Sequence, residues 1–360
     1  MSGSLYNLKK ALAVFGRIES AGESFKDSLG KPFDGLPPFS RSIDGRLLKS
    51  WTSADLAFVG ERIGFLPRLK RPIAASIFVT KGGVLKSTLT LNLARMAALH
   101  GIRTCVVGLD MQGDVSTALG ESNDESDSLE EALKKMSAVK GLAQLYTGNA
   151  TLDDVLKETD LPSLFYIPET PELVALDQSL MNRNRREYWL RDHVVTPLKR
   201  EFDLILIDCS PNWNRLITNA LVASDVLISP LECKINNFRN LTTFRALIQE
   251  FTQDLQTSFK HVYVPTRFSP TRKLSREIRE WYATNLVNCS RETVRESIQG
   301  EEATAMRVSI PEFAPTSVAA NEMRSLLSEI WQSFDSSMVR LKASPIRIEG
   351  APECHLASTI

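Results

Sequence analysis

The sequence has few cysteines, and they are badly placed for metal or disulfide chemistry. Cys105, Cys209, Cys233, Cys289 and Cys354 are spread through 360 residues and odd in number. They form neither a CxxC pair nor a zinc spacing, which argues against a disulfide framework and a structural metal site and leaves most of them as small buried apolar residues. No apolar run approaches the roughly 18–20 residues needed to cross a bilayer. The stretch from Met1 to Lys10 lacks the basic start, apolar core and cleavage site of a signal peptide, so a cytoplasmic location is expected. There is no excess of charge either. Lys and Arg total 43 and Asp and Glu total 43, so any contact with nucleic acid must come from local patches. Internal repeats and low-complexity segments are also missing.

What is present is an ordinary globular composition, 43% hydrophobic and 24% charged, in a chain long enough for one large α/β domain and a smaller appendage. Residues 1–72 differ from the rest. A helical start runs from Leu5 to Ile18, and the Gly-, Pro-, Ser- and Asp-rich stretch from Gly22 to Asp44 reads as an irregular linker. Leu47 to Leu66 forms a compact segment, with Thr52 and Asp55 spaced as a capping box and Leu56, Val59, Ile63 and Leu66 at helical spacing. It suits the first helix of a helix-turn-helix with a basic exit at Arg68, Lys70 and Arg71. It equally suits a small packed helical cap.

From Pro72 onward, β-branched runs alternate with amphipathic stretches. Strands are expected at Ile73–Thr80, Arg103–Leu109, Leu164–Ile167, Leu204–Ile207, Val226–Ser229 and His261–Thr266. Such alternation predicts βαβ units and an α/β fold with a buried, mainly parallel sheet flanked by helices. The expected division is a helical N-terminal extension at 1–72, the α/β domain at 73–340 and a loosely held tail at 341–360.

Between the first strand and a helix over Ser87–His100 lies the run Lys81, Gly82, Gly83, Val84, Leu85, Lys86, Ser87 and Thr88. Strand, glycine loop and Lys-Ser at a helix start are the context of a phosphate loop. Gly82 and Gly83 let backbone N–H groups approach phosphate oxygens, and the helix N-terminus adds the positive end of a dipole. Lys86 would reach the β- and γ-phosphates, and the Ser87 hydroxyl would be a Mg²⁺ ligand. The general pattern has glycine before the lysine. Here it is Leu85, which would strain the turn if φ must be positive.

KGGVLKST resembles the deviant Walker A of the ParA/MinD superfamily, marked by an extra lysine, here Lys81. The resemblance implies that Lys81 reaches across an ATP-sandwich dimer to the partner's phosphates as a cationic finger. Val106 to Asp114 is similar to the ParA motif DxDPQGN: its second aspartate is Asp110, while Gly108 replaces the first and Met111 the proline. In the family Asp110 would position the attacking water; on its own it reads as a cap or turn residue. Phe202 to Asp208 is an apolar strand ending in aspartate, a Walker-B pattern, and Asp208 would hold Mg²⁺ through water. Thr266 and Arg267 fall where family members contact adenine. The resemblance covers roughly residues 73–335, and some larger plasmid ParA proteins share a non-glycine residue at the Leu85 position and an N-terminal DNA-binding extension.

The family therefore implies a slow ATPase that dimerises on ATP–Mg²⁺, releases ADP, binds DNA non-specifically at the nucleoid and answers to a ParB-like centromere-binding partner. Operator binding through residues 1–72 would accompany this in the larger members. Arg272, Lys273, Arg276 and Arg279 are expected on one helix, with Arg272, Arg276 and Arg279 on one side; Arg291, Arg295 and Arg307 would extend that face. It could neutralise DNA phosphates, or be a solvated face, since Glu277 and Glu280 intervene. A second, weaker cluster is Arg183, Arg185, Arg186 and Arg191. Pro345, Gly350 and Pro352 break the C-terminal segment, which disfavours a MinD-like membrane helix. An electron carrier of the nitrogenase-iron-protein kind would need paired cysteines. A nucleotide-gated DNA-binding regulator with little turnover is the alternative that Leu85 and Gly108 keep open.

Overall fold

Strands that must be buried on both faces carry few polar residues, and four segments satisfy this. Ile73–Ile77, Thr104–Gly108, Leu204–Asp208 and Val226–Glu232 are buried at every residue. A computed structural model describes residues 5–17, 40–43, 46–120, 128 and 138–335. Near the N-terminus it has two short ribbons: β1 (Leu5–Tyr6) pairs antiparallel with β4 (Trp51–Thr52), and β2 (Ser40–Ile43) with β3 (Arg46–Lys49). The main sheet comprises β5 (Ile73–Ile77), β6 (Thr104–Gly108), β7 (Lys157–Glu158), β8 (Leu164–Ile167), β9 (Leu204–Asp208), β10 (Val226–Glu232) and β11 (Lys260–Thr266). Its order is β11-β10-β5-β9-β6-β8-β7, parallel throughout except for the β7 edge. The α/β expectation is met, and each predicted strand falls within a few residues of its place.

Helices named below are α1 (Leu8–Val14), α2 (Ser53–Ile63), α3 (Lys86–Leu99), α4 (Asp114–Leu119), α5 (Lys273–Asn285) and α6 (Val318–Asp335). Helix α3 is buried at almost every residue from Leu89 onward. A buried ionic cluster fixes it. The Arg95 guanidinium donates to both oxygens of Glu312 (2.8 and 2.9 Å) and to both of Asp160 (2.7 and 2.9 Å). Burial of charge is tolerated here because the planar fork is fully used.

Residues 1–72 depart from the sequence reading in four ways. The helical start begins later, because Leu5–Tyr6 is a strand that pairs with Trp51–Thr52. Ser40–Ile43, taken as the end of a linker, is a strand whose register joins Ile43 to Arg46. The intervening sequence, Asp44-Gly45, is a hairpin signal; the remainder of that linker, like the tail at 341–360 and Cys354, lies outside the described residues. The predicted capping box forms, with the Thr52 N–H donating to Asp55 Oδ2 (2.8 Å) and the Asp55 N–H to Thr52 Oγ1 (3.4 Å). However, α2 is not the start of a helix-turn-helix, since Gly64–Pro72 runs without regular structure into β5.

Finally, among the described residues no seam in the packing falls at residue 72. Tyr6, Val14, Phe15, Trp51, Leu56 and Val59 share one apolar cluster with Ile73, Met96 and Leu326. Buried Arg324 on α6 donates to the carbonyls ending α1, Ala13 (3.1 Å) and Val14 (3.4 Å), and the Trp331 indole donates to the Pro67 carbonyl (2.8 Å). Among the described residues, 5–17 and 51–72 pack against the α/β core as a cap would.

His100, just past α3, bonds both sides of this join. The Phe65 N–H donates to its Nε2 (2.9 Å), Nδ1 lies 2.6 Å from the Met96 carbonyl, and Phe15 and Phe65 flank the ring edge-on. Only the neutral ring can accept from Phe65 while donating to Met96, and burial depresses its pKa from 6.5 to about 4. A depressed pKa means that this contribution is complete above pH 6.5 and is lost as pH falls toward 4. Full loss is on the order of 3 kcal/mol. Urea denaturation of the protein and of His100→Gln at pH 7 and pH 4.5 checks this. The stability gap between the two is expected to narrow at the lower pH; an unchanged gap would show that the ring does not couple the segments through its neutral form.

Candidate functional site

Parallel strands deliver their C-terminal ends to one edge of a sheet, where open α/β folds bind ligands. Here that edge collects the loop after β5, Asp110 after β6, Glu169 after β8, Asp208 at the end of β9 and Thr266 at the end of β11. The loop after β5 has an open floor. A Cβ built at Gly82 or Gly83 would meet nothing within 4 Å, and Gly83 has φ 72°. Leu85 does adopt the left-handed conformation, φ 70° and ψ 33°. For a non-glycine residue this costs roughly 1–2 kcal/mol, offset by packing of its half-buried side chain against the main core.

Lys86 is 7% exposed, and its charge acts on Asp208. The Ser87 hydroxyl lies 2.8 Å from Asp208 Oδ2 and 3.0 Å from Asp114 Oδ2, so one proton stands between two carboxylates. Asp208 Oδ1 accepts from Thr90 Oγ1 (2.9 Å). Burial pushes the Asp208 carboxyl up to about 7, against the pull of the Ser87 and Thr90 hydroxyls; Glu169 adds to the rise and Lys86 opposes it. A buried carboxylate and a hydroxyl with unsatisfied negative charge form an oxygen donor set suited to a hard divalent cation such as Mg²⁺. Among the described residues no group of three His, Cys, Asp or Glu makes a self-sufficient metal site, as fits an ion completed by phosphates and water.

Asp110, two residues past the point where Gly108 is in register with Asp208, is 7% exposed, and its Oδ1 accepts from the Gln112 N–H (3.2 Å). Lys81 is half-buried at the loop's start. Thr266 is fully buried at the same sheet edge, and its Oγ1 has no hydrogen-bond partner. Arg267 has φ 49° and pairs with Glu296 and Glu232.

The basic face is less free than its spacing suggests. Helix α5 begins at Lys273, leaving Arg272 as its N-cap. Arg276 donates to the Pro270 carbonyl (2.7 Å) and Arg279 to that of Arg291 (2.6 Å). Arg295 pairs with Glu322 (2.6 Å) and Lys273 with Glu277 (3.7 Å), while Arg307 turns inward to the Gly120 carbonyl (2.9 Å). In the second cluster Arg185 and Arg191 both pair with Asp192, and Arg186 with Glu187.

Three site residues escaped the sequence reading. Thr90 was findable, being one helical turn after Lys86 on the same face. Asp114 opens α4 directly after the aspartate loop, a second local signal. Glu169 carries no local signal at all. Its carboxylate stands where a Cβ at Gly108 would go: that atom would lie 2.2 Å from the Glu169 Cδ.

A family model described as an AAA domain matches residues 73–261. The chromosome partitioning protein ParA of Myxococcus xanthus is 33% identical over 180 residues, half of this chain and 59% of that protein. The chain thus spans less than two thirds of that relative. The chromosome-partitioning ATPase Soj of Treponema pallidum is 30% identical over 207 residues, 56% of this chain and 74% of that protein. Among solved structures, a plasmid partition protein of Borrelia burgdorferi bound to AMPPNP superposes with TM-score 0.60 at 18% identity, covering 73% of this chain and all of that one. A cobyrinic acid a,c-diamide synthase of Mycobacterium smegmatis, with an ATP analogue and magnesium, gives TM-score 0.58 at 22% identity over 74% of this chain and 96% of that one. These likenesses show the fold; the second comes from a different chemistry on it. No helix among the described residues is long and apolar enough to cross a membrane.

Proposed function

The chain belongs to the ParA family of partition ATPases, and from that membership we propose that it segregates a plasmid or chromosome. In this reading it binds ATP with Mg²⁺, pairs with a second copy of itself around the nucleotide, holds DNA without reading sequence, and turns ATP over slowly until a ParB-like partner accelerates it. The observation that carries the proposal is the Ser87–Asp208 contact of 2.8 Å beneath an open glycine loop. It joins the loop to the acidic strand end as a phosphate site requires.

Each residue then has a task. Backbone N–H groups from Gly82 to Thr88 and the N-terminus of α3 face the phosphates, and Lys86 supplies a cation from a largely buried position. Ser87 and Asp208 hold the ion. Mg²⁺, when bound, neutralises charge on the β- and γ-phosphates. Asp110 orients the attacking water, and Lys81 reaches the partner's nucleotide. Thr266, with its unpartnered hydroxyl, and Arg267 line the adenine end. Exposed Arg272, Lys273 and Arg276 offer DNA a shallow cationic face, joined by the partly engaged Arg279 and Arg295.

Sedimentation with ATP–Mg²⁺, with and without duplex DNA at graded salt, tests this. The wild-type protein is expected to dimerise on ATP and to lose DNA as salt rises. Lys81→Ala should bind nucleotide within about threefold of wild type, because uniform binding rests on the other donors, yet remain monomeric. A Lys81→Ala protein that still dimerises on ATP removes the trans-lysine role; a wild type that never dimerises removes the partition reading.

A further inference from the structure

Gly108 ends β6 with its Cα in register with Asp208, so a side chain there would point along the Asp208 carboxylate, on the α3 face of the sheet. The aspartate motif that this segment resembles has a carboxylate at that position, and here there is none. The space is filled nonetheless. Glu169, two residues past the end of β8, brings its carboxyl group to within 2.2–2.5 Å of where the missing Cβ would stand. Only a glycine at 108 permits this approach. Strand β8 pairs with β6 directly, Val107 opposite Ile167, so the neighbouring strand supplies the group across one strand spacing.

The Glu169 carboxylate is bound at both oxygens. Oε1 accepts from the Val115 N–H (3.0 Å), and Oε2 accepts from the Ser116 N–H (3.0 Å) and the Ser116 hydroxyl (2.5 Å). In return the Glu169 N–H donates to Ser116 Oγ (3.2 Å). These are N–H groups of the first turn of α4, which lack partners within the helix. The chain they anchor runs straight back through Asp114, the second acid on Ser87, to Asp110. Gly113, with φ 72° and no side-chain cap, leaves the first-turn N–H groups of Val115 and Ser116 to Glu169, while the Ser87 hydroxyl holds Asp114 from the other side (3.0 Å).

We propose that Glu169 is a positioning residue of the nucleotide site. It replaces, from β8, the carboxylate absent at position 108, and fixes the 110–114 loop so that Asp110 and Asp114 stand beside Ser87 and Asp208. Gly108 and Glu169 are therefore one exchange made at two positions, and the gap in the aspartate motif is not a loss of the group. The inference rests on the ATPase reading for its functional consequence, but its structural half stands on the nucleotide-free protein.

Four proteins test it: wild type, Glu169→Ala, Gly108→Asp, and the double variant carrying both changes. Amide exchange without nucleotide reads the structural half. Glu169→Ala should speed exchange at Val115 and Ser116 by at least about tenfold while leaving β9 and α3 protected. Turnover and nucleotide affinity read the functional half. Glu169→Ala should lower kcat by about 10–100-fold, as for outer partners that orient a site, with nucleotide affinity little changed. Gly108→Asp alone collides with Glu169 and should be at least as impaired. The double variant, with a carboxylate restored on β6, should recover most of the turnover, a coupling that separate structural damage at two sites would not produce.

A double variant no better than the worse single one overturns the exchange. Unchanged exchange at Val115 and Ser116 in Glu169→Ala overturns the tether. A wild type without ATP turnover would sink the ATPase reading while the exchange measurement still decides the tether.

Discussion

Lys86→Ala is expected to weaken ATP binding by two to three orders of magnitude or more and to abolish turnover. Lys86 is 7% exposed and its charge acts on buried Asp208, so its field reaches a bound polyphosphate with little screening by water. Truncating one partner of a buried charge contact costs about 2–5 kcal/mol, and each 1.4 kcal/mol is tenfold in affinity. Removing it also leaves Asp208 uncompensated, because Lys86 is a charge holding that carboxyl down while burial and Glu169 push it up. The apo protein should therefore tolerate the change by keeping Asp208 protonated, and fold normally. Calorimetric titration with ADP and ATP in the presence of Mg²⁺ reads the loss. Wild-type affinity in a folded Lys86→Ala protein would withdraw the phosphate-site assignment.

Asp110→Ala should behave in the opposite manner, leaving ATP affinity nearly intact while lowering kcat by about 10²–10⁴-fold, the range for groups that handle the attacking water. Asp110 is nearly buried at the rim of the site, yet its recorded hydrogen bond is to its own loop, the Gln112 N–H at 3.2 Å. It thus contributes little to ground-state binding, and a group acting only in the transition state lowers kcat without raising KM. The variant should also accumulate as an ATP-bound dimer, since assembly precedes hydrolysis in the proposed cycle. Single-turnover hydrolysis with parallel sedimentation measures both. A matching rise in KM, or unaltered turnover, would assign the water to another residue.

The two departures of this chain from the general phosphate-loop and aspartate motifs have different outcomes. Leu85 takes φ 70° in the manner that a glycine would take freely, so its cost is local backbone strain set against its packing. Gly108 is unstrained, and its consequence is the room it leaves for Glu169. Neither opens the site: Ser87, Asp208 and Lys86 are assembled around both.

The positions of the strands along the chain and the residues of the glycine loop were legible because each depends on its own neighbours. An apolar run with no alternation must be buried on both faces, and a glycine loop between a strand and a helix aims N–H groups the same way in any surroundings. Asp208 was legible for the same reason, as the polar end of an apolar strand. The tertiary structure decided whatever depends on which elements meet. Leu5 to Ile18 read as a helical start and Leu47 to Leu66 as a segment with apolar residues at helical spacing, which states that a face must be covered but not by what. Packing on α3 and α6, through His100, Arg324 and Trp331, joins them to the core of the α/β domain.

Arginines at helical spacing read as a free basic face, but guanidinium groups reach far enough to find the carbonyls of Pro270 and Arg291 and the carboxylate of Glu322, and sequence spacing is blind to such partners. Glu169 is the clearest case. Its partner Val115 is 54 residues away, and only the pairing of β6 with β8 brings its carboxylate to the empty side of Gly108. By itself the sequence determined that a glycine loop stands between a strand and a helix at the end of a buried, mainly parallel sheet, because hydrophobic patterning and backbone geometry are local. Which carboxylates complete that site is decided by strand register, and register exists only once the sheet has formed.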